Sequence, residues 1–444
     1  GAHEWYADHE PALLAAKTPA AALLVDRPGV AASGAPVLRV ADANLALSTL
    51  AAELAGRPAE RLPIIGVTGT DGKTTTTTLI DAALTRLGRR VARTGTLGAF
   101  LAGAPHPLSR TVPEPPELHA LFSSMLRASC DVAVMEIGSF ALRSRRVDAV
   151  PFHMGVFTNL TRDHLDVHGT MEVYAAAKAR LFDELLRPRG GWPRALLCAD
   201  APAWTSMRAP ADRWTYGFAP DADLRVVDPR YTLEGCAAEL HTPVGRAALR
   251  CRLPGRYNAQ NAAAAIGVLL SLDVPLDAAC DAVAHARGPA GRTQTIANDR
   301  GLALVVDYAH TPNGLRTVLG AMRPLTSGRL WVLFGCGGDR DQGKRGPMGE
   351  VASELADEVV LTSDNPRSES AATIVEAIRA GMRRAPTHVE LDRSAAIAWT
   401  LRHATPGDTV VFAGKGHETY QQIGRRRIPF SDHDEIAHAL RSTR

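Results

Sequence analysis

The chain has 444 residues, 45% of them hydrophobic and 22% charged, which is ordinary for a globular protein long enough to build two or three cores. Its 50 basic and 47 acidic residues are dispersed and leave a formal net charge of only +3, which speaks against a dedicated nucleic-acid or membrane surface but permits a local basic pocket. Six scattered cysteines with no C-x-x-C pair argue against zinc and disulfides and for buried free thiols in a reducing compartment.

No apolar run is long enough to span a bilayer, and the N-terminus has no signal-peptide core, so a cytoplasmic protein is expected. The opening GAHEWYADHEP lacks a methionine, which points to a processed or incompletely represented start.

Three textures follow in chain order. Residues 1–61 carry short apolar runs (AALLVD, PVLRV) and the helical stretch NLALSTLAAELAG, closed by the proline-bearing join RPAERLP. From 62 to 295, strands alternate with helices: IIGVTG, VARTGT, DVAVMEI and GVFTNL between ELHALFSSMLRAS, MEVYAAAKARLFDELL and others. Such alternation predicts a mostly parallel sheet covered on both faces, with antiparallel strands added around 222–253. From 296 to 444 a second unit alternates LALVVDYAH, LWVLFGCGG, EVVLTSDNP, HVELD and TVVFAGKGHE with helices. The fold class is therefore α/β in three domains: a small N-terminal α/β domain, a central P-loop ATPase-like domain, and a C-terminal Rossmann-like doubly wound domain. The polar motifs of the last unit all follow the carboxyl ends of strands, where open α/β sheets bind ligands.

The stretch IIGVTGTDGKTTTTT has the chemistry of a phosphate cradle. Gly69 and Gly72 permit the turn, Thr70 and Thr75 flank it, Lys73 can reach phosphate oxygens, and Thr74 offers a hydroxyl to Mg²⁺. The spacing departs from G-x-x-x-x-G-K-[ST], since Val67 stands where the first glycine should be. Glu136 ends the strand DVAVMEI as an acidic residue facing a phosphate loop would. NLTRDHLDVHG supplies His164 after another strand, and Lys178 sits on the next helix. Taken singly, His168-Gly169 reads equally well as a turn and Lys178 as a solvated helix residue.

Taken together, T-G-T-D-G-K-T-T, M-E-I, N-L-T-R-D-H-L-D-x-H-G, A-A-K-A-R-L-F, G-R-Y-N-A-Q-N, D-Y-A-H-T-P, G-C-G-G-D-R-D and G-K-G-H-E resemble the Mur ligases, nearest to their MurE type. The family's own loop pattern, T-G-T-N-G-K-[ST], accounts for the spacing. The resemblance implies an ATP-dependent amide ligase that activates a carboxylate as an acyl phosphate. It implies that Lys73 contacts the β/γ-phosphates, that Thr74 and Glu136 hold one Mg²⁺, and that His164 serves a second. Lys178 matches the family's carbamylated lysine, whose carbamate is a carboxylate-like ligand. Asn261 would reach adenine, Asp307 the ribose and Arg292 the phosphates, with ATP held between domains.

In Asp364-Asn365-Pro366-Arg367 the arginine is the family's signature for meso-diaminopimelate, since a guanidinium fork matches a carboxylate. Arg340, Gly414 and Glu418 complete the implied pocket. The implied partners are small molecules only: ATP, the diamino acid and UDP-N-acetylmuramoyl-dipeptide, the last met by Thr111 and Arg146, with the enzyme acting as a monomer. Some residues depart from the pattern. The family's T-T-P appears as Thr111-Val112-Pro113, M-E-V-S-S-H appears as MEIGSF with Gly138 and Phe140, and Asp71 replaces asparagine. The N-terminal part that helps hold uracil in relatives reads as short or absent. A lysine- or ornithine-adding enzyme, a ligase for another carboxylate, and a nucleotide-binding scaffold remain alternative readings.

Overall fold

The computed structural model describes residues 22–26, 36–187 and 193–442. Ile64–Thr68 is fully buried along its length and takes the middle of an eleven-stranded sheet. From one edge the order is Gly245–Cys251, Gly235–Thr242, Leu224–Thr232, Arg213–Gly217, Ala195–Cys198, Met154–Phe157, Ile64–Thr68, Val132–Glu136, Val91–Gly95, Gly98–Leu101 and Ala104–His106. The strands from Leu224–Thr232 to Val91–Gly95 run parallel, and both edges are antiparallel hairpins. Apolar runs that stay buried on both faces suit the parallel core. The edge pair Gly98–Leu101 and Ala104–His106 carries little hydrophobic alternation, so periodicity does not flag it.

Two helices bring this sheet to its function. Lys73–Arg86 contains five consecutive threonines, poor intrinsic helix formers because their branched Cβ crowds the preceding turn. Burial supplies what propensity does not, since Thr74, Thr75, Thr76 and Thr77 are all inside. Its neighbour Arg256–Leu270 is alanine-rich and buried on nearly every side, and Gly267 allows it to press on Leu196 and Leu224 of the sheet.

The second sheet has six strands, ordered Gln294–Ile296, Ala303–Asp307, Thr409–Ala413, Leu330–Phe334, Glu358–Leu361, His388–Val389. Only the first is antiparallel. One face packs Leu315, Met348 and Ile374 and the other Ile397, Leu401 and Ile436, so helices cover both sides. The expected start of this unit at 296 falls inside the pairing, because Gln294 already sits opposite Val306. The buried pair Arg393–Asp432 (2.7 Å) ties the last helix, Asp432–Ser442, to the end of this sheet, with Arg393 Nη2 also donating to Ala413 O at 3.1 Å.

Of the first 61 residues the described part holds a parallel pair, Leu23–Val25 with Val37–Arg39, and the helix Ala43–Leu54. The uracil-holding segment expected to be short or absent there lies outside the described residues. Among the described residues no helix is long and apolar enough to cross a membrane.

Candidate active site

The glycine turn after Ile64–Thr68 is tight on its inner side. Gly69 (φ 148°) leaves no room for a Cβ against Thr158, and Gly72 (φ 85°) would bring one to 2.8 Å from Asn261 Oδ1. Thr158 Oγ1 donates to Asp71 O at 2.6 Å, and Asp71 N donates to Asn159 Oδ1 at 2.8 Å, so the neighbouring strand's end holds the turn in shape. Thr70 shares a hydrogen bond with Tyr174 (3.2 Å), and Thr75 lines the cleft described below.

Two lysines converge on one carbonyl. Lys73 Nζ donates to Gly69 O at 2.9 Å and Thr70 O at 2.8 Å, and Lys178 Nζ donates to Gly69 O at 2.8 Å. Lys178 is 1% exposed, with the Tyr174 ring 4.4 Å from its nitrogen. Burial, and after it the charge of Lys73, pushes the Lys178 amine well below the ordinary lysine range. Burial likewise lowers Lys73, although Glu136 and Asp71 act to raise it.

Glu136 is fully buried yet well supplied with donors. Thr74 Oγ1, Thr96 N and Thr96 Oγ1 each donate to its carboxylate at 3.0 Å. A Cβ on Gly95 would fall inside that carboxylate, so the glycine is what lets the acid lie against the loop. Neither Thr96 nor Gly95 stands out in sequence, where VARTGT reads simply as a strand.

His164 is placed differently. Its ring is mostly exposed and sits 3.4 Å from Asp163, at a residue with φ 54°. Among the described residues no three His, Cys, Asp or Glu side chains form a metal cluster. Around Glu136 the polar groups present are the hydroxyls of Thr74 and Thr96 and the amide of Thr96.

A cleft of about 600 Å³ opens between the two sheets. Asp71, Gly72, Asn261, Arg292, Asp307 and Asn313 are among its lining residues. Asn261 holds Thr76 (3.2 Å) and Asn258 (3.1 Å). Arg292 reaches Thr74 Oγ1 at 3.5 Å while stacking its guanidinium over Tyr308. Asp307 accepts from Thr293 N (2.7 Å), Thr293 Oγ1 (3.1 Å) and Ala309 N (2.8 Å), and burial still pushes its carboxyl up. Asp71, unexplained in sequence, accepts from Asn313 Nδ2 at 3.1 Å, on the first turn of Pro312–Met322, the helix that follows strand Ala303–Asp307 of the second sheet. The loop thus touches the other sheet's domain through this acid.

At the carboxyl edge of the second sheet, Asn365 Nδ2 donates to Glu418 Oε2 (2.8 Å) and Asn365 Oδ1 accepts from Gln422 N (2.8 Å). Gly414 (φ 105°) leaves space for the Asp364 carboxylate. Arg367 pairs its backbone with Gln422 and Gly424 and sends Nη1 to Gly338 O at 2.7 Å; Arg340 is exposed and donates to Asp339 O.

On the opposite side, Arg146 is buried, donates to Val112 O at 3.3 Å, and meets Glu114 at 2.7 Å and the Phe140 ring at 5.1 Å. Thr111 is half-buried, while Val112 is part of the core. A Cβ at Gly138 would meet open space, so nothing steric demands a glycine there.

Residues 67–269 match the Mur ligase middle domain, and residues 291–416 match the Mur ligase, glutamate ligase domain. The chain belongs to the Mur ligase family. A UDP-N-acetylmuramoyl-L-alanyl-D-glutamate--2,6-diaminopimelate ligase from Gloeobacter violaceus is 44% identical over 92% of this chain and 83% of its own length. One of the same name from Bacillus velezensis is 38% identical over 97% of this chain and 89% of its own. A solved structure of such a ligase superposes with a TM-score of 0.67 at 33% identity, covering 95% of this chain and 87% of that one. A Mycobacterium tuberculosis folylpolyglutamate synthase superposes equally well (0.67) at 20% identity over 83% of this chain and 92% of that one, a likeness of fold alone.

As a Mur ligase the chain is an ATP-dependent ligase. Sequence reasoning about this Mur ligase passes over Thr96, Gly95, Asn313, Lys415 and the pair Arg393–Asp432. Lys415 alone had a visible signal, since it lies inside G-K-G-H-E.

Proposed function

We infer that the chain joins meso-2,6-diaminopimelate to UDP-N-acetylmuramoyl-L-alanyl-D-glutamate at the cost of ATP, in the building of a peptidoglycan precursor. The observation that carries this reading is the 44% identity to a ligase of that name over 92% of the chain. In this reading residues 62–295 bind ATP, 296–444 bind the amino acid, and the N-terminal part meets the UDP-sugar.

A carboxylate is a poor electrophile. The γ-phosphoryl group therefore passes to the glutamyl carboxylate, with one P–O bond made as the bond to ADP breaks. The amine nitrogen attacks the acyl carbon and loses a proton, and phosphate leaves from the tetrahedral adduct. Lys73, the loop N–H groups and Arg292 would neutralise phosphate charge, Asn261 would take adenine and Asp307 the ribose hydroxyls. Thr111 and Arg146 would meet the acceptor peptide. Arg367 would fork onto the distal carboxylate of the diamino acid, and Glu418 with Asp364 would face its ammonium, beside Asn365, Gly414 and Arg340.

The residues present suit Mg²⁺, which is commonly held by one or two carboxylates together with substrate phosphates. The buried Glu136 carboxylate already gathers hydroxyl and amide donors beside Thr74, in room that a Cβ on Gly95 would fill. Thr74, Glu136, His164 and a carbamylated Lys178 would hold the ions, which when bound supply charge neutralisation at the phosphates. Carbamylation requires the neutral amine to attack CO₂ and shed one proton, and the lowered Lys178 favours that neutral form.

Release of ADP is to be measured with UDP-N-acetylmuramoyl-L-alanyl-D-glutamate while diaminopimelate, lysine and ornithine are varied. Turnover with diaminopimelate alone supports the reading. Turnover only with lysine or ornithine, or with none of the three, sinks it.

A further inference from the structure

Beneath the proposed amino-acid pocket lies a cation, the lysine of G-K-G-H-E, to which the mechanism gives no role. Lys415 is 0% exposed, and its ammonium donates to Glu418 Oε2 at 3.0 Å and Asn365 Oδ1 at 3.2 Å. The Asp364 carboxylate stands 3.8 Å away. The rings of Tyr420 and Phe430 lie 5.8 and 5.9 Å from the nitrogen and help keep it dry. Burying an ammonium is expensive unless its donors are met and its charge is offset. Here both conditions are satisfied by the very side chains proposed to hold the diamino acid.

The bonding is directional. Asn365 Oδ1 accepts from both Lys415 and Gln422 N, which fixes which end of the amide is which. Its Nδ2 is thereby aimed at Glu418 Oε2, the same oxygen that Lys415 holds. Both bonds to Glu418 fall on Oε2, so the carboxylate is anchored by one oxygen. Around this ammonium two carboxylates, Asp364 and Glu418, face one lysine, while the buried Arg393 nearby is paired with its own acid, Asp432.

We propose that Lys415 is a positioning residue for the amino-acid substrate: its buried ammonium locks Asn365 and Glu418 into one rigid network and sets the pocket's charge to receive one cationic group. The proposal rests on the reading of this pocket as the amino-acid site. It differs from a plain stabilising ion pair, which would raise melting temperature without favouring one substrate.

The test compares the full-length wild type with Lys415→Met, which keeps the chain length without donors, and Lys415→Gln, which keeps an N–H donor. The KM for the amino acid that the wild type turns over should rise about tenfold or more in Lys415→Met. The KM for ATP should stay within about twofold, and Lys415→Gln should recover part of the loss. Equal rises in both KM values, or no rise in a folded variant, overturn the proposal. Should Lys415→Met fail to fold, the ratio of the two KM values in Lys415→Gln decides alone. If the wild type turns over none of the three amino acids, the functional reading falls, and the network is judged by hydrogen exchange at the Asn365 side-chain amide. That exchange should be at least about tenfold faster in Lys415→Met, and equal rates overturn the proposal.

Discussion

Lys178 and Lys415 are both buried lysines, one beneath the glycine turn after Ile64–Thr68 and the other beneath the pocket proposed for the amino acid, in opposite electrostatic company. Lys178 has a carbonyl for a partner and a second cation, Lys73, on the same oxygen. Lys415 sits among carboxylate and amide oxygens. Burial, and after it the like charge of Lys73 on the same carbonyl, favours the neutral amine at Lys178, the form that the proposed carbamylation needs. Around Lys415 the carboxylate and amide oxygens tie the nitrogen in place, so the second site gains rigidity. Burial alone does not tell what a lysine is for; its neighbours do.

The sharpest way to break this contrast is at Lys178. Replacing it by Ala should cut kcat by about a hundredfold to a thousandfold, with partial rescue by formate or acetate in solution. Unchanged turnover would remove the chemical half of the comparison. Next in size is the support behind the amino-acid side. Asp432→Ala strands the buried Arg393 and should cost about 3–5 kcal/mol in urea unfolding, since a buried charge loses its counter-ion. A loss under about 1 kcal/mol would mean that the pair is solvated after all.

Arg367→Ala should raise the diaminopimelate KM about tenfold or more while moving the ATP KM much less, because a charge-assisted fork is lost on one substrate only. Equal effects would argue that the two regions are not separable. Asp71→Ala removes the Asn313 contact, a hydrogen bond worth about 1.5–3 kcal/mol when one partner is charged. ATP affinity measured by calorimetry should change in this variant and in Asn313→Ala alike; a change in only one would deny the link between domains.

A further effect concerns pH. Burial, followed by the charge of Arg292, lowers the His417 imidazole from its ordinary range to about 4. Its stabilising neutral form is fully present above the unfolded pKa of about 6.5. That contribution is lost as pH falls from there through about 4, because the unfolded chain binds the proton first. Thermal melts between these values should therefore fall with acidification, and His417→Gln should flatten the slope.

Sequence made the phosphate loop legible because its chemistry is local. Gly69, Gly72, Lys73 and Thr74 lie within a few residues at a strand-to-helix junction, where backbone donors and side chains must meet. The two parallel sheets were legible for the same reason, each strand being a short buried run. What sequence could not carry was pairing at a distance. Asp71 and Asn313 stand 242 residues apart, and neither has a pattern that names the other. Arg393 and Asp432 read as two ordinary surface charges until folding puts them together, both fully buried. His164 shows another limit: its motif is plain in sequence, while the mostly exposed placing of its ring, 3.4 Å from Asp163, is not.

Gly95 has a consequence for how this site tolerates substitution. The space where its side chain would be is filled by the Glu136 side chain, so a replacement at this position fits only if the acid swings aside. Any side chain added at Gly95 is therefore felt first as a displaced carboxylate, drawn away from Thr74 and Thr96.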